Sequence, residues 1–274
     1  MKQVLRFLKN IWLLNFLRRI YQASTLFNHK YGQILKWGFR SNEDTNFTYD
    51  LTESSINYLA NTIEVVTGID RKLITEYIRE AQNDSVLKQH IVEATKKSPF
   101  RKFADLEIHF GKRLGWYAFA RAIKPKIVVE TGVDKGMGSV LLCAALLKNR
   151  SEGFDGHYFG TDINPDAGYL LSGKYREIGE ILFGDSIESL SEIEQNIDLF
   201  INDSDHSADY EYKEYLTIEQ KISDRSILLG DNAHGTDKLA LFSNKTGRNF
   251  LFYKEEPLNH WYPGAGIGIS FVKK

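Results

Sequence analysis

The sequence predicts an α/β fold in which a mostly parallel sheet of seven strands, with an antiparallel last strand, follows a helical N-terminal region. From Pro125 onward, short β-branched runs alternate with helical segments, as they do in parallel sheets covered by helices on both faces. Before Pro125, apolar residues recur at helical spacing. A chain of 274 residues, 42% of them hydrophobic, is long enough for one such domain and an appendage.

The first forty residues form a basic leader, since eight lysines and arginines precede Glu43, the first acidic residue. Uncharged runs such as residues 10–17 are too short to cross a bilayer. Helical spacing brings together Leu5, Leu8, Trp12 and Phe16. Residues 1–22 are therefore expected to make a peripheral contact with the inner membrane surface, and docking on the protein's own core or on a second subunit is the alternative.

Residues 41–110 are expected to form a helical cap region that covers the site, pairs subunits in a homo-oligomer, or does both. A loop is predicted over residues 41–57, and apolar spacing then predicts a helix through Val66 that Gly68 ends. Further helices are predicted around residues 73–78, 85–96 and 114–123. The chain is thus divided into a leader (1–40), a cap region (41–110) and a sheet domain (111–274).

The sheet domain contains seven candidate strands: 126–130, 157–161, 179–183, 197–202, 226–230, 249–253 and 267–272. About a dozen residues without helical periodicity join the last two strands, which predicts an antiparallel pair at the end of the sheet. The single cysteine, Cys143, is expected to be a small buried residue of the first helix after strand one. One cysteine excludes a disulfide framework and suits the cytoplasm. The formal net charge of -1 gives no indication of a nucleic-acid partner.

A glycine-rich loop after the first strand is the feature around which the site is organised. Gly132, Gly136 and Gly138 let the backbone approach a ligand closely, and the helix that starts near Met137 offers free N–H groups. The carboxylate of Glu130 would repel a pyrophosphate but attract an ammonium group. The spacing also differs from the G-x-G-x-x-G of dinucleotide sites, so a nicotinamide oxidoreductase is the weakest of the readings.

This loop resembles the first motif of class I S-adenosylmethionine-dependent methyltransferases, in which an acidic residue and glycines follow strand one. The resemblance implies a Rossmann-like sheet and an S-adenosylmethionine site that includes Glu130, Gly132 and Gly136. It extends to Asp162, which would accept the ribose hydroxyls, and to Asp185 with Ser186, which would lie against the adenine. Taken singly, either aspartate is equally suited to cap a helix.

Polar residues after strands four and five predict a metal site. Asp203, Asp231 and Asn232 supply the hard oxygen ligands that Mg²⁺ or another divalent cation prefers, and Asp203 is also assigned to the cofactor site. The arrangement resembles metal-dependent O-methyltransferases of the catechol and caffeoyl-CoA types. Those families have a lysine three residues after the first aspartate, where this chain has His206.

A histidine at that position resembles the macrocin and mycinamicin sugar O-methyltransferases, and this likeness implies that His206 takes the proton from an acceptor hydroxyl. An alcohol needs such a base at neutral pH, and a nearby cation would stabilise the alkoxide. The alternative is that Asp205 and His206 only cap the following helix.

Substrate contacts are expected from two segments. Gly111–Tyr117 precedes the sheet, and Tyr117 is its candidate contact. A loop between the last two strands offers His260, Trp261 and Tyr262 as a stacking wall for a sugar or aromatic ring. An ordinary packed loop is the alternative.

The first functional reading is therefore an S-adenosylmethionine-dependent O-methyltransferase, assisted by a divalent metal, that acts on a hydroxyl of a small-molecule or glycan acceptor such as a sugar or other secondary metabolite. The second is a metal-independent methyltransferase acting on oxygen or nitrogen. The third is a non-catalytic cofactor-binding or membrane-associated scaffold. Fold and cofactor site alone do not name the acceptor.

Overall fold

A computed structural model describes residues 11–43, 48–205 and 207–273, with the backbone alone for residues 25–29. Its centre is a seven-stranded sheet in the order β3-β2-β1-β4-β5-β7-β6. The strands are β1 (Ile127–Thr131), β2 (His157–Asp162), β3 (Gly179–Phe183), β4 (Leu199–Asn202), β5 (Ile227–Gly230), β6 (Asn249–Tyr253) and β7 (Ile267–Phe271). The first five strands are parallel, and β7 runs antiparallel to both β5 and β6. The predicted fold class is confirmed.

Strand register brings the predicted site residues to one edge. In the parallel ladder, Asn202 of β4 is paired with Gly230 of β5, and Thr131 of β1 is paired with Asn202. The residues that follow these positions therefore leave the sheet side by side. This register places Asp203 next to Asp231 although 28 residues separate them in sequence.

Helices cover both faces of the sheet. One face packs on the cap region and on α5 (Arg113–Ile123) and α6 (Met137–Ser151), and the other packs on α7 (Ser186–Glu192), α8 (Ala208–Ile218) and α9 (Lys238–Lys245). Side chains of β4 alternate between the two cores, because successive residues of a strand point to opposite faces. Cys143 is fully buried in α6, as predicted.

The cap region contains α2 (Glu53–Thr67), α3 (Arg71–Asn83) and α4 (Ser85–Lys97). Thr52 caps α2 by accepting the Ser55 amide, and Gly68 ends the helix with a φ of 74°, as predicted. The cap is tied to the segment between β6 and β7, because the Tyr49 hydroxyl donates to Glu255 Oε1 at 2.8 Å. The order of helices agrees with the spacing seen in the sequence, although α2 begins four residues before the predicted loop ends.

The described part of the leader is one long helix, α1 (Trp12–Arg40). Trp12 and Phe16 stack with ring centroids 5.4 Å apart, whereas Leu5 and Leu8 lie outside the described residues. Near its end, Trp37 packs edge-on against Trp261 at 5.3 Å. No helix among the described residues is long and apolar enough to span a membrane.

Candidate active site

A cleft of about 910 Å³ opens at the carboxyl ends of the parallel strands. Ligands gather at this edge in open α/β sheets, because the loops that follow the strands form a crevice there. On one side the cleft is lined by the loops after β1, β2 and β3. On the other side it is lined by the loops after β4 and β5, by Lys112 and Arg113, and by the aromatic residues Tyr49 and Tyr262.

The loop after β1 has room only for glycine at two positions. Gly132 has a φ of 81°, and a Cβ there would collide with the backbone oxygen of Asp203. A Cβ at Gly138 would collide with the Glu130 carboxylate. Gly136 has a φ of 90° and directly precedes α6. The loop therefore presents bare backbone to the cleft, which leaves space for a ligand against the start of α6.

The carboxylate of Glu130 lies at the end of β1 and lines the cleft, although the residue is only 1% exposed. Its Oε2 accepts hydrogen bonds from the hydroxyls of Tyr158 at 2.5 Å and Ser139 at 3.0 Å. Burial raises the pKa of Glu130 to about 7, even though these two hydrogen bonds and the charge of Arg113 oppose the effect. A cation that reached this carboxylate would favour its ionised form.

Asp162 and Asp185 line the same half of the cleft and both shape its backbone. Asp162 accepts the amides of Asp134 and Asn164, each at 2.8 Å, one on each carboxylate oxygen. Asp185 caps α7 by accepting the Ile187 amide at 2.8 Å, and its other oxygen accepts the Tyr210 hydroxyl at 3.0 Å. The alternative reading of Asp185 as a helix cap is thus part of the structure, beside its place in the cleft.

Ser186, at the start of α7, also lines the cleft. Its hydroxyl donates to Glu214, which is buried in α8. Glu214 also accepts hydrogen bonds from Thr131, Asn202 and Ser204. One carboxylate therefore connects the ends of β1, β3 and β4 beneath the cleft.

A buried cluster of charges occupies the other half of the cleft. Lys112 Nζ lies 2.7 Å from Asp231 Oδ2, and Arg113 Nη2 lies 3.8 Å from Asp203 Oδ2. Burial, followed by the negative charge of Asp231, raises the pKa of Asp203 well above its ordinary value. Burial alone would raise the pKa of Asp231 too, but Lys112 and Arg113 outweigh it and hold that pKa below the ordinary value. The cluster therefore carries more positive than negative charge.

The predicted metal ligands Asp203, Asp231 and Asn232 do converge in this cleft, but their surroundings do not fit a divalent cation. The Lys112 ammonium already contacts an Asp231 oxygen, and the Arg113 guanidinium faces Asp203. A third positive charge would be repelled by both. Within the residues that the structure describes, no group of three or more His, Cys, Asp and Glu side chains is arranged to hold a metal ion.

The predicted base, His206, lies outside the described residues. Its neighbour Asp205 accepts the Ser207 hydroxyl at 2.9 Å just before α8, as the alternative cap reading requires. A second imidazole, His234, lines the cleft after β5, with Nδ1 3.3 Å from the carbonyl oxygen of Asp231. Sequence reasoning missed His234, although it stands three residues after a predicted ligand.

The four tentative substrate residues lie in different places. Tyr262 lines the cleft, while His260 packs near Tyr49 with ring centroids 5.4 Å apart. Trp261 packs on Trp37 of α1. Tyr117 is a correction, because it is 1% exposed and its hydroxyl donates to Glu80 at 2.5 Å, away from the cleft.

Lys112 and Arg113 were not singled out as site residues in the sequence, although their segment was. The signal was a pair of basic residues directly before an apolar helix, where a charged side chain must be paired if it is buried. Both are at most 15% exposed at the side chain, and both face carboxylates that come from distant strands.

Comparison with known proteins agrees with this architecture. Residues 129–233 match a family model described as a methyltransferase domain. No curated protein matches the chain. A methyltransferase from Geobacter sulfurreducens is 16% identical, with a TM-score of 0.50 over 67% of this chain and 90% of its own.

Two further solved structures align with lower scores. The SAH-bound methyltransferase PaMTH1 from Podospora anserina is 16% identical, with a TM-score of 0.47 over 84% of this chain and 100% of its own. The O-methyltransferase TomG from Streptomyces achromogenes, involved in tomaymycin synthesis and solved with SAM, is 12% identical, with a TM-score of 0.48 over 70% of this chain and 91% of its own. From the family match and the fold together, the chain carries a methyltransferase domain with the class I S-adenosylmethionine-dependent fold.

Proposed function

We propose that this protein transfers the methyl group of S-adenosylmethionine to a hydroxyl oxygen of a sugar or another secondary metabolite, without a divalent metal. The observation that carries the proposal is the division of the cleft. Carboxylates after β1, β2 and β3 line one half, and the Lys112 and Arg113 cations stand in the other half. The first half suits a cationic cofactor, and the second suits an acceptor that becomes negative.

The residues of the first half fit S-adenosylmethionine. The glycine loop leaves a space that a Cβ at Gly132 or Gly138 would remove, and Glu130 offers a carboxylate to an ammonium group. Asp162 has one backbone amide on each oxygen, which leaves lone pairs for the ribose hydroxyls. When bound, the cofactor supplies an electrophilic methyl group.

Oxygen is favoured over nitrogen as the acceptor because of the charge around Asp231. An alcohol that loses its proton becomes an anion, and the Lys112 and Arg113 cations would stabilise that charge as it forms. A protonated amine would be repelled by the same two groups. His206 is the proposed base, and Tyr49 and Tyr262 offer aromatic surfaces to a sugar or phenol ring.

Magnesium, which the sequence resemblance implied, has no step in this proposal. The positive charge that it would bring to the acceptor is supplied by the two side chains of the chain itself. Treatment with a chelator is therefore expected to leave methyl transfer unchanged, within about twofold, once an acceptor has been found. The measurement is the release of S-adenosylhomocysteine with a panel of sugars and phenols, before and after dialysis against EDTA.

The panel should contain each acceptor with its hydroxyl already methylated, and an amine analogue of the same ring. Turnover with the hydroxyl compound alone supports transfer to oxygen, and turnover with the amine alone would move the proposal to nitrogen. Activity that is lost with EDTA and restored by Mg²⁺ would contradict the metal-independent mechanism. Cofactor binding without turnover across the panel would favour the scaffold reading.

The second prediction concerns the pH dependence of cofactor binding. Because the pKa of Glu130 is raised to about 7, its carboxyl loses its charge as the pH falls through that value, and its attraction to an ammonium group is lost with it. Affinity for S-adenosylhomocysteine, which has the same amino group, is expected to fall by up to about tenfold per pH unit below pH 7. Titration calorimetry from slightly acid to slightly alkaline pH measures this slope directly.

The matched control is Glu130→Gln, which preserves the shape of the side chain and cannot ionise. This variant should bind more weakly at high pH and show a flat profile over the same range. A wild-type profile as flat as that of the variant would mean that Glu130 does not hold the ammonium group.

A further inference from the structure

Helix α1 exposes an unusually large apolar surface. Leu13, Leu17, Ile20, Tyr31 and Leu35 are each more than half exposed. Residues 18 apart in an α-helix point in the same direction, since 18 residues make five turns. The pairs 13 with 31 and 17 with 35 therefore lie on one face, and Ile20 lies on the same face. In the described residues this face makes no packed contact with the sheet domain that would bury it.

The opposite side of α1 is basic. Arg18 and Lys36 are also 18 residues apart, and Arg40 lies one turn after Lys36 on the same side. Residues 12–40 include no aspartate or glutamate. A broad apolar face next to a purely basic one is the pattern of a helix that lies in the surface of an anionic membrane.

Charge and length decide between the occupants of this face. A second copy of α1 would bring a second set of arginines and lysines close to the first, with no acidic residue to compensate. A membrane span is excluded for the described helices, because none has a sufficiently apolar stretch. Anionic lipid headgroups supply the missing negative charge, and the headgroup boundary takes up the apolar side chains.

We propose that α1 docks this protein on an anionic lipid surface, with Leu13, Leu17 and Leu35 inserted and Arg18, Lys36 and Arg40 at the headgroup phosphates. The inference goes beyond methyl transfer and does not depend on it. The end of α1 is attached to the catalytic domain, because Trp37 packs on Trp261, next to the cleft residue Tyr262. Docking would thus hold the cleft close to the membrane.

The test is cosedimentation of the full chain with vesicles of phosphatidylcholine alone or of equal parts phosphatidylcholine and phosphatidylglycerol. Wild-type protein is expected to bind the anionic vesicles and to be released at about 1 M salt, where charges are screened. Arg18→Gln/Arg19→Gln should bind about 30-fold more weakly, the effect of two basic residues near such a surface. Leu13→Gln/Leu17→Gln should also lose binding, because the inserted apolar area is smaller.

Matched controls change the same residue types elsewhere on the surface. Arg176→Gln/Arg225→Gln removes two exposed charges from the sheet domain, and Val65→Gln/Leu241→Gln removes two exposed apolar side chains. Both controls should bind like the wild type. Equal binding to neutral and anionic vesicles, or equal loss in the α1 and control variants, would overturn the proposal. Loss of a dimer in the Leu13→Gln/Leu17→Gln variant without any change in lipid binding would assign the face to a second copy.

Discussion

Replacing Lys112 with methionine is expected to lower the free energy of unfolding by about 3–5 kcal/mol near neutral pH, the usual effect of leaving one member of a buried ion pair alone. Methionine fills a similar space, so most of the loss would come from the charge. The Asp231 carboxylate would keep its burial but lose the ammonium group at 2.7 Å. Urea denaturation of wild type and variant at several pH values measures the difference.

The dependence on pH identifies the cause. The pKa of Asp231 lies below its ordinary value in the folded protein, so the pair contributes stability above the unfolded pKa and loses that contribution as the pH falls. The gap between wild type and variant should therefore narrow below about pH 4. A double variant, Lys112→Met/Asp231→Asn, should recover much of the loss. A Lys112→Met variant as stable as the wild type would show that the ion pair is not buried as described.

Substitution of His206 by alanine is expected to slow methyl transfer by roughly 10²- to 10⁴-fold, the usual contribution of a general base. Cofactor affinity should change little, because the glycine loop, Glu130 and Asp162 are intact. The wild-type rate should fall below about pH 6, where an ordinary imidazole becomes protonated. The measurement is a pH–rate profile of wild type and variant with the acceptor that the panel identifies.

His234→Ala is the necessary comparison, because His234 is the imidazole that lines the described cleft. If the large loss and the altered pH limb appear in the His234 variant instead, the base is His234. If neither variant loses more than about tenfold, the acceptor proton is not taken by an imidazole.

The strands and helices were predictable because their signals are local. Each strand of the parallel sheet is a short apolar run next to a turn, and the bounds of β3 and β6 agree with the prediction at both ends. The helix that begins at Met137 follows from Gly136 and the apolar run after it. The convergence of Asp203 and Asp231 also followed from the sequence, since the ends of parallel strands share one edge.

The electrostatics of the site were not predictable, because they depend on contacts between distant segments. Lys112 meets Asp231 across 119 residues, and no local pattern relates them. Tyr117 was assigned to the substrate because its segment reaches the cleft. The helix α5 turns that side chain toward Glu80 instead, while Lys112 and Arg113 face inward. The direction of a side chain on a helix is fixed by packing, which the sequence alone does not give.

The position of β7 has a consequence for the order in which the protein folds during synthesis. Among the described strands, β6 joins the sheet only through β7, which lies between it and β5. Leu229 is paired with Ile269, so the exposed edge of β5 must wait for 40 further residues before it finds its neighbour. Until then a nascent chain presents an apolar, unpaired strand edge, which is a site for aggregation. We therefore expect the ribosome-bound chain to need a chaperone until the segment that contains β7 has left the exit tunnel.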